Sequence, residues 1–122
     1  MTDSSAALDH LARTGIVHLA TRTEDGREIV TKLWAVVDDG HAYVRNGYGG
    51  GSKWHARLRR SGRAAFVDGD RRYDVTAEPV ADEDTNVRVD DAYRSKYAGS
   101  GSSLRMMTVG DVRTTTLRIT PV

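Results

Sequence analysis

Apolar residues recur along this chain at two different periods, and the switches between them divide it into elements. Ala7, Leu8, Leu11 and Ala12 follow helical spacing behind Ser4 or Ser5, either of which can cap a helix that ends near Gly15. Ile16 to Thr21 reads as a strand, and Thr23-Glu24-Asp25-Gly26 carries the Asp-Gly signal of a hairpin. Arg27 to Val37 then alternates without interruption. Ile29, Thr31, Leu33, Ala35 and Val37 share one face and Val30, Lys32, Trp34 and Val36 the other, which predicts one long partner strand. Asp38-Asp39-Gly40 closes a second hairpin into His41 to Arg45, so three sequential antiparallel strands are expected.

The period lengthens again after a glycine-rich run. Gly47, Gly49, Gly50 and Gly51 lead to Ser52, a suitable cap for a helix from Lys53 to about Arg60 with Trp54 and Leu58 as its buried stripe. Arg63 to Val67 and Arg72 to Val80 form strands on either side of Asp68-Gly69-Asp70, and Asp82 caps a helix from Glu83 to Lys96. Gly99 to Ser103 has the composition of a mobile loop, Leu104 to Met107 fits no single element, and Val112 to Ile119 alternates as a final strand. About six short antiparallel strands with two or three inserted helices predict a mainly β, α+β fold. The expected form is a small β-barrel making a single domain, residues 1–122.

Composition narrows the function classes. The net charge of +1 gives the chain as a whole no electrostatic reason to coat nucleic acid, and the absence of cysteine removes disulfides, thiolate metal sites and cysteine nucleophiles. No apolar run resembles a signal peptide or approaches the roughly 20 residues of a membrane span, so a soluble cytoplasmic protein is expected. Its Arg-over-Lys usage suggests a bacterial source. The charge is unevenly spread. No Asp or Glu occurs between Gly40 and Val67, where Arg45, Lys53, Arg57, Arg59, Arg60 and Arg63 make an island of +6; the other 12 cations face all 17 acids, leaving −5.

A glycine-rich approach to a helix N-terminus collects unpaired N–H groups and the positive end of the helix dipole, and its natural guest is a phosphate. Neither named phosphate motif is present. The P-loop pattern fails because Ser52 replaces its second Gly and Trp54 its hydroxyl residue; GYGGGS lacks the last Gly of the dinucleotide fingerprint. The alternative is a flexible surface loop ahead of a solvated basic helix.

Two pieces, REIVTKLWAVVDDGHAYVRN and GGGSKWHARLRRSGRAAFV, resemble the FMN-binding split barrel of the pyridoxamine 5'-phosphate oxidase superfamily. The second is similar to a stretch of deazaflavin-dependent reductases in which a Gly pair leads to a Trp, then an Asn-Leu and a basic turn. The likeness covers roughly Gly15 to Val80. It implies a split barrel, a homodimer with flavin sites at the subunit interface, a small-molecule substrate, and FMN or the deazaflavin coenzyme F420 as cofactor. Carried over, Lys32 matches the basic residue of the second strand, Arg45 and Asn46 the end of the third, and Gly50, Gly51, Ser52, Lys53 and Trp54 the phosphate-side turn and helix start. Arg57 stands where the deazaflavin branch carries Asn, as an added phosphate contact or the mark of a lost one.

The residues themselves allow the same assignment. Arg45 offers a planar fork matched to two phosphate oxygens, and Lys32 stands between Val30 and Trp34, able to meet an anion beside an apolar wall. Lys32 as an outward-facing strand residue, and Trp54 as helix packing, are the alternatives. His10, His18, His41 and His55 lack metal-ligand spacing, no metal is expected, and no triad suggests itself, which leaves catalytic residues unassigned. Three functions compete: a flavin-dependent oxidoreductase with Tyr93, Tyr97, Met106 and Met107 lining the open side of the ring, a non-catalytic carrier or sensor of a flavin or other phosphorylated ligand, and a single-stranded nucleic-acid-binding barrel, which the −5 outside the island opposes.

Overall fold

The computed structural model describes residues 3–47 and 53–122. Its elements are α1 (Asp3–Arg13), β1 (Val17–Arg22), β2 (Glu28–Leu33), β3 (Ala35–Asp38), β4 (His41–Val44), α2 (Lys53–Ser61), β5 (Arg63–Asp68), β6 (Arg71–Pro79), α3 (Glu83–Lys96), α4 (Ser102–Thr108), a 3₁₀ helix (Gly110–Thr115) and β7 (Leu117–Pro121). Every strand pair is antiparallel, in the order β2-β1-β5-β6-β7-β4-β3.

The long strand expected from Arg27 to Val37 is two strands. Leu33 pairs with Val17 at one edge of the sheet, while Ala35 pairs with Val44 at the other. Trp34 alone separates them, so the sheet must curl until its two edges meet at this residue. That curl makes the molecule a split β-barrel. The alternation of Arg27 to Val37 fits either arrangement, because a strand that changes sheet edge keeps its period of two.

Turn chemistry behaves as expected elsewhere. Asp39 and Gly40 both have positive φ, 52° and 77°, the conformation a two-residue hairpin needs between β3 and β4. The Asp82 carboxylate accepts from the Thr85 N–H at 2.9 Å and caps α3, and hydrogen bonding by the Thr85 side chain, then by its N–H, holds its pKa below the usual carboxylate value. Glu83 and Asp84 in the first turn and Arg94 and Lys96 in the last complement the dipole of α3.

The expected C-terminal strand starts five residues late. Thr114, Thr115 and Thr116 donate their hydroxyls to the carbonyls of Asp111, Val112 and Arg113, at 2.6, 2.6 and 2.8 Å. These back-bonds offer the chain an alternative to ladder pairing and wind it into a 3₁₀ helix. Residues expected to form a loop and an ambiguous segment, Gly99 to Met107, contain α4.

Two apolar clusters form. Leu11, Val17, Leu19, Val44, Trp54, Leu58, Phe66, Val75, Leu117 and Ile119 fill the barrel, with α2 and α1 packed against its interior. Val36, Tyr43, Val80, Val89, Tyr93, Tyr97 and Met107 form the second, between the outer face of β3 and β4 and the helices α3 and α4. β4 is therefore buried on both faces, whereas β2 alternates between half-buried and exposed.

Candidate functional site

A cleft of about 300 Å³ opens at the split. Ile16 and the end of β2, Thr31 to Leu33 with Trp34, form one wall; Arg45, Gly47 and Trp54 form the floor; Ser103, Met106 and Met107 of α4 form the other wall. Among the described residues its lining holds no carboxylate and no imidazole. Six of the eleven lining residues are large and apolar, the composition of a small-molecule site with few polar groups.

Trp34 occupies the hinge of the barrel, and its indole stacks on Tyr97 with ring centroids 4.0 Å apart and planes 6° from parallel. Tyr97 is fixed in turn, its hydroxyl donating to the Gly15 carbonyl at 2.7 Å, and burial pushes its phenol up to about 12. One face of the indole is thus backed by a rigid ring, while Trp34 contributes to the cleft wall. Lys96 secures the same corner. Its ammonium donates to the carbonyls of Leu11 and Ala35, both at 2.6 Å, and burial without a carboxylate partner lowers its pKa to about 8.

The expected phosphate ligands are dispersed. Lys32 is exposed and lines the cleft, making no ion pair among the described residues. Lys53 is exposed at the start of α2, next to Trp54, which both packs in the core and lines the cleft. Arg57 turns away, its Nε donating to the Thr21 hydroxyl at 2.7 Å. Arg60 donates to the Arg22 carbonyl at 3.0 Å and lies 4.0 Å from Glu24. Gly50, Gly51 and Ser52 lie outside the described residues.

Arg45 reverses its expected role. It is 1% exposed, and its five N–H donors meet Thr116 Oγ1 (2.9 Å), Asp90 Oδ1 (2.5 Å), the Met107 carbonyl (2.9 Å), and the Asn86 carbonyl and Oδ1 (3.1 and 3.0 Å). A guanidinium has five such donors, so none remains for a phosphate. Arg45 instead joins the end of β4 to α3, α4 and the approach to β7. The basic island of the sequence is consequently not one cationic seat, since its first member points into the protein.

Asn46 is also buried, 4% exposed. Its backbone N–H donates to the Thr115 hydroxyl at 2.9 Å, and its side-chain Oδ1 has no partner among the described residues. His55 sits close by, its Nε2 donating to the Thr115 carbonyl at 2.8 Å. A carbonyl only accepts, which fixes the proton on Nε2, and burial lowers the imidazole's pKa.

Of the residues expected at the cofactor, Lys32, Arg45 and Trp54 line the cleft, as do Met106 and Met107, which were expected on the open side. Tyr93 and Tyr97 were expected there too, but both lie in the second cluster, behind Trp34 and α4. Trp34 itself went unassigned: its strand alternation gave no sign that the barrel turns at this residue. Gly47 had a legible signal as the first glycine after β4. A Cβ there would lie 2.2 Å from the Met107 sulfur, so any larger residue requires the Met107 side chain to shift.

Among the described residues no helix is long and apolar enough to cross a membrane, and no group of His, Asp and Glu is placed to hold a metal ion. No curated protein matches the chain. Solved structures do. The chain is similar to a putative pyridoxamine 5'-phosphate oxidase from Listeria innocua (14% identity over 99% of this chain and 93% of that one, TM-score 0.61). It is also similar to the F420-H2-dependent reductase FDR-A (17% identity, 86% and 92% covered, TM-score 0.62). A third match is the haem storage protein HutZ from Vibrio cholerae (12% identity, 99% and 89% covered, TM-score 0.66). These likenesses agree with the curled sheet and its split, and a family model described as "Uncharacterized protein conserved in bacteria (DUF2255)" matches residues 7–119. The chain belongs to that bacterial family, and its fold is the split barrel that these solved structures share.

Proposed function

We propose that the protein binds a flavin-type cofactor, FMN or the deazaflavin F420, in the cleft at the barrel split and acts as an oxidoreductase on a small molecule. The observation that carries this reading is the Trp34 indole, backed by Tyr97 at 4.0 Å and set in an apolar cleft with the Lys32 ammonium on its wall. A flat ring system gains from stacking on a fixed aromatic surface, and a phosphate gains from an unshared cation nearby. Lys32 and Lys53 are the residues of the original set that can still meet an anion. Trp54 and the α4 methionines would exclude water from the ring.

A bound flavin supplies hydride or electron transfer by its own chemistry. The protein's part is binding, orientation and the drying of the cleft. A lining that among the described residues has no carboxylate or imidazole also suits a non-catalytic carrier, the second reading, because such a protein needs no proton donor. In either case the exposed apolar residues Ile16 and Val30, 54% and 50% exposed beside the cleft and on the open face of β2, support a homodimer formed across this side.

The test is reconstitution of purified protein with FMN, F420 and haem in parallel, read by absorbance, then by bleaching with a nicotinamide donor. Binding of a flavin with reduction supports the oxidoreductase; binding without reduction by any donor supports the carrier. Haem as the sole ligand overturns both. Lys32→Ala is expected to weaken flavin binding by about 1.5–3 kcal/mol, the value of a charge-assisted hydrogen bond.

A further inference from the structure

Met106 and Met107 are neighbours on α4 with opposite fates. Met107 is 7% exposed, its thioether lies over the Gly47 backbone, and its carbonyl accepts from Arg45. Met106 is 46% exposed and stands on the rim of the cleft. Adjacent positions on a helix point about 100° apart, so one turn of α4 exposes one methionine at the rim and keeps the other nearly buried. The chain has no cysteine, which leaves thioethers as its only sulfur groups.

We propose that Met106 is a peroxide-modification site whose oxidation changes the ligand affinity of the cleft. Peroxide transfers one oxygen atom to the Met106 sulfur, which is oxidised by two electrons, and is itself reduced to water; no further reactant is required. The product replaces a flexible apolar group with a polar sulfoxide, on a rim whose other residues include Ile16, Leu33 and Trp34. Met107, in the core behind it, keeps α4 in place, so the change is confined to the mouth of the cleft. The inference requires only the cleft, not a flavin in it.

Hydrogen peroxide treatment of the whole protein, followed by peptide mass mapping, reads the modification. Met106 is expected to react at least about ten-fold faster than Met107, as exposure dictates. The anionic apolar dye anilinonaphthalene sulfonate serves as the probe of the cleft. Its fluorescence is expected to fall on oxidation of the native protein, to stay unchanged in Met106→Leu, and to start low in Met106→Gln, which imitates the polarity of the sulfoxide. Equal oxidation of the two methionines, no dye response to oxidation, or the same response in Met106→Leu would overturn the proposal. Because the dye and the mass map are independent of FMN, failure here is distinct from failure of the flavin assignment.

Discussion

The Arg45 Nη1 atom lies 2.5 Å from Asp90 Oδ1 in a position where the Arg45 side chain has no exposure and that of Asp90 only 9%. Asp90 Oδ2 accepts from Arg113 Nε at 2.9 Å, and Arg113 reaches Glu83 at 2.9 Å, so the buried pair is linked to the surface through a second guanidinium. A buried pair of this kind is weak evidence for net stability, but the loss of one partner strands the other charge. Asp90→Asn is therefore expected to destabilise the fold by about 3–5 kcal/mol, measured by urea unfolding. An unchanged midpoint would mean that the guanidinium finds water.

Gly47 and Met107 are coupled by contact. Gly47→Ala is expected to cost about 1–3 kcal/mol, as an added methyl group does in a well-packed site. In a Met107→Ala background the same substitution should cost much less, because the sulfur that a Cβ would meet at 2.2 Å is gone. A double-mutant cycle of chemical denaturation checks this. Purely additive effects would mean that α4 is free to withdraw.

The stack at the barrel hinge has a measurable value. A cycle of Trp34→Leu with Tyr97→Leu is expected to show a coupling of about 0.5–1.5 kcal/mol beyond the loss of buried area. Trp34→Leu should in addition reduce flavin affinity more than stability, if the indole is the ligand platform.

His55 makes stability depend on acid. Burial depresses its folded pKa below the ordinary 6.5, so the unfolded chain binds a proton first; this contribution is full above about 6.5, falls as pH drops from there toward the folded pKa, and levels off below it. His55→Gln, which keeps an amide N–H for the Thr115 carbonyl, should flatten this part of the profile. Thermal melts between pH 7.5 and 5 provide the measurement.

Lys96 acts at the other end of the scale. Its folded pKa of about 8 lies below the ordinary 10.5, so above pH 8 the unfolded chain holds more protons and stability rises with pH. Melts from pH 8 to 9.5, below the range of Tyr97, are expected to show this rise in the native protein and not in Lys96→Gln. A flat native profile would place the amine in freer contact with water.

The elements whose signals are local were legible. Asp82 as the cap of Glu83–Lys96 and the hairpin turns at Gly26 and Asp39-Gly40 rest on groups within a few residues of one another. The helix at Lys53 was equally local, since Trp54 and Leu58 share a face whatever they pack against. The 3₁₀ helix was missed for a reason also visible locally: three consecutive threonines favour strand by branching and turn by hydroxyl back-bonding, and the second won. The site was only partly legible. Lys32, Arg45 and Trp54 meet at one cleft, but charge counting treats every cation of an island alike and cannot tell that Arg45 is committed to the core.

The sequence by itself determined the hairpin turns, the Asp82 cap and the helix at Lys53, but not the cap of the first helix, which begins at Asp3 ahead of Ser4 and Ser5, because backbone preference and side-chain period act over short separations. Tertiary structure alone decided that Trp34 is the corner of the barrel and that Arg45 points inward. The partners of Arg45 are 41 to 71 residues away, on α3, α4 and the turn before β7. A guanidinium becomes a core residue only when distant acceptors converge on all of its donors, and no pattern along the chain records that convergence.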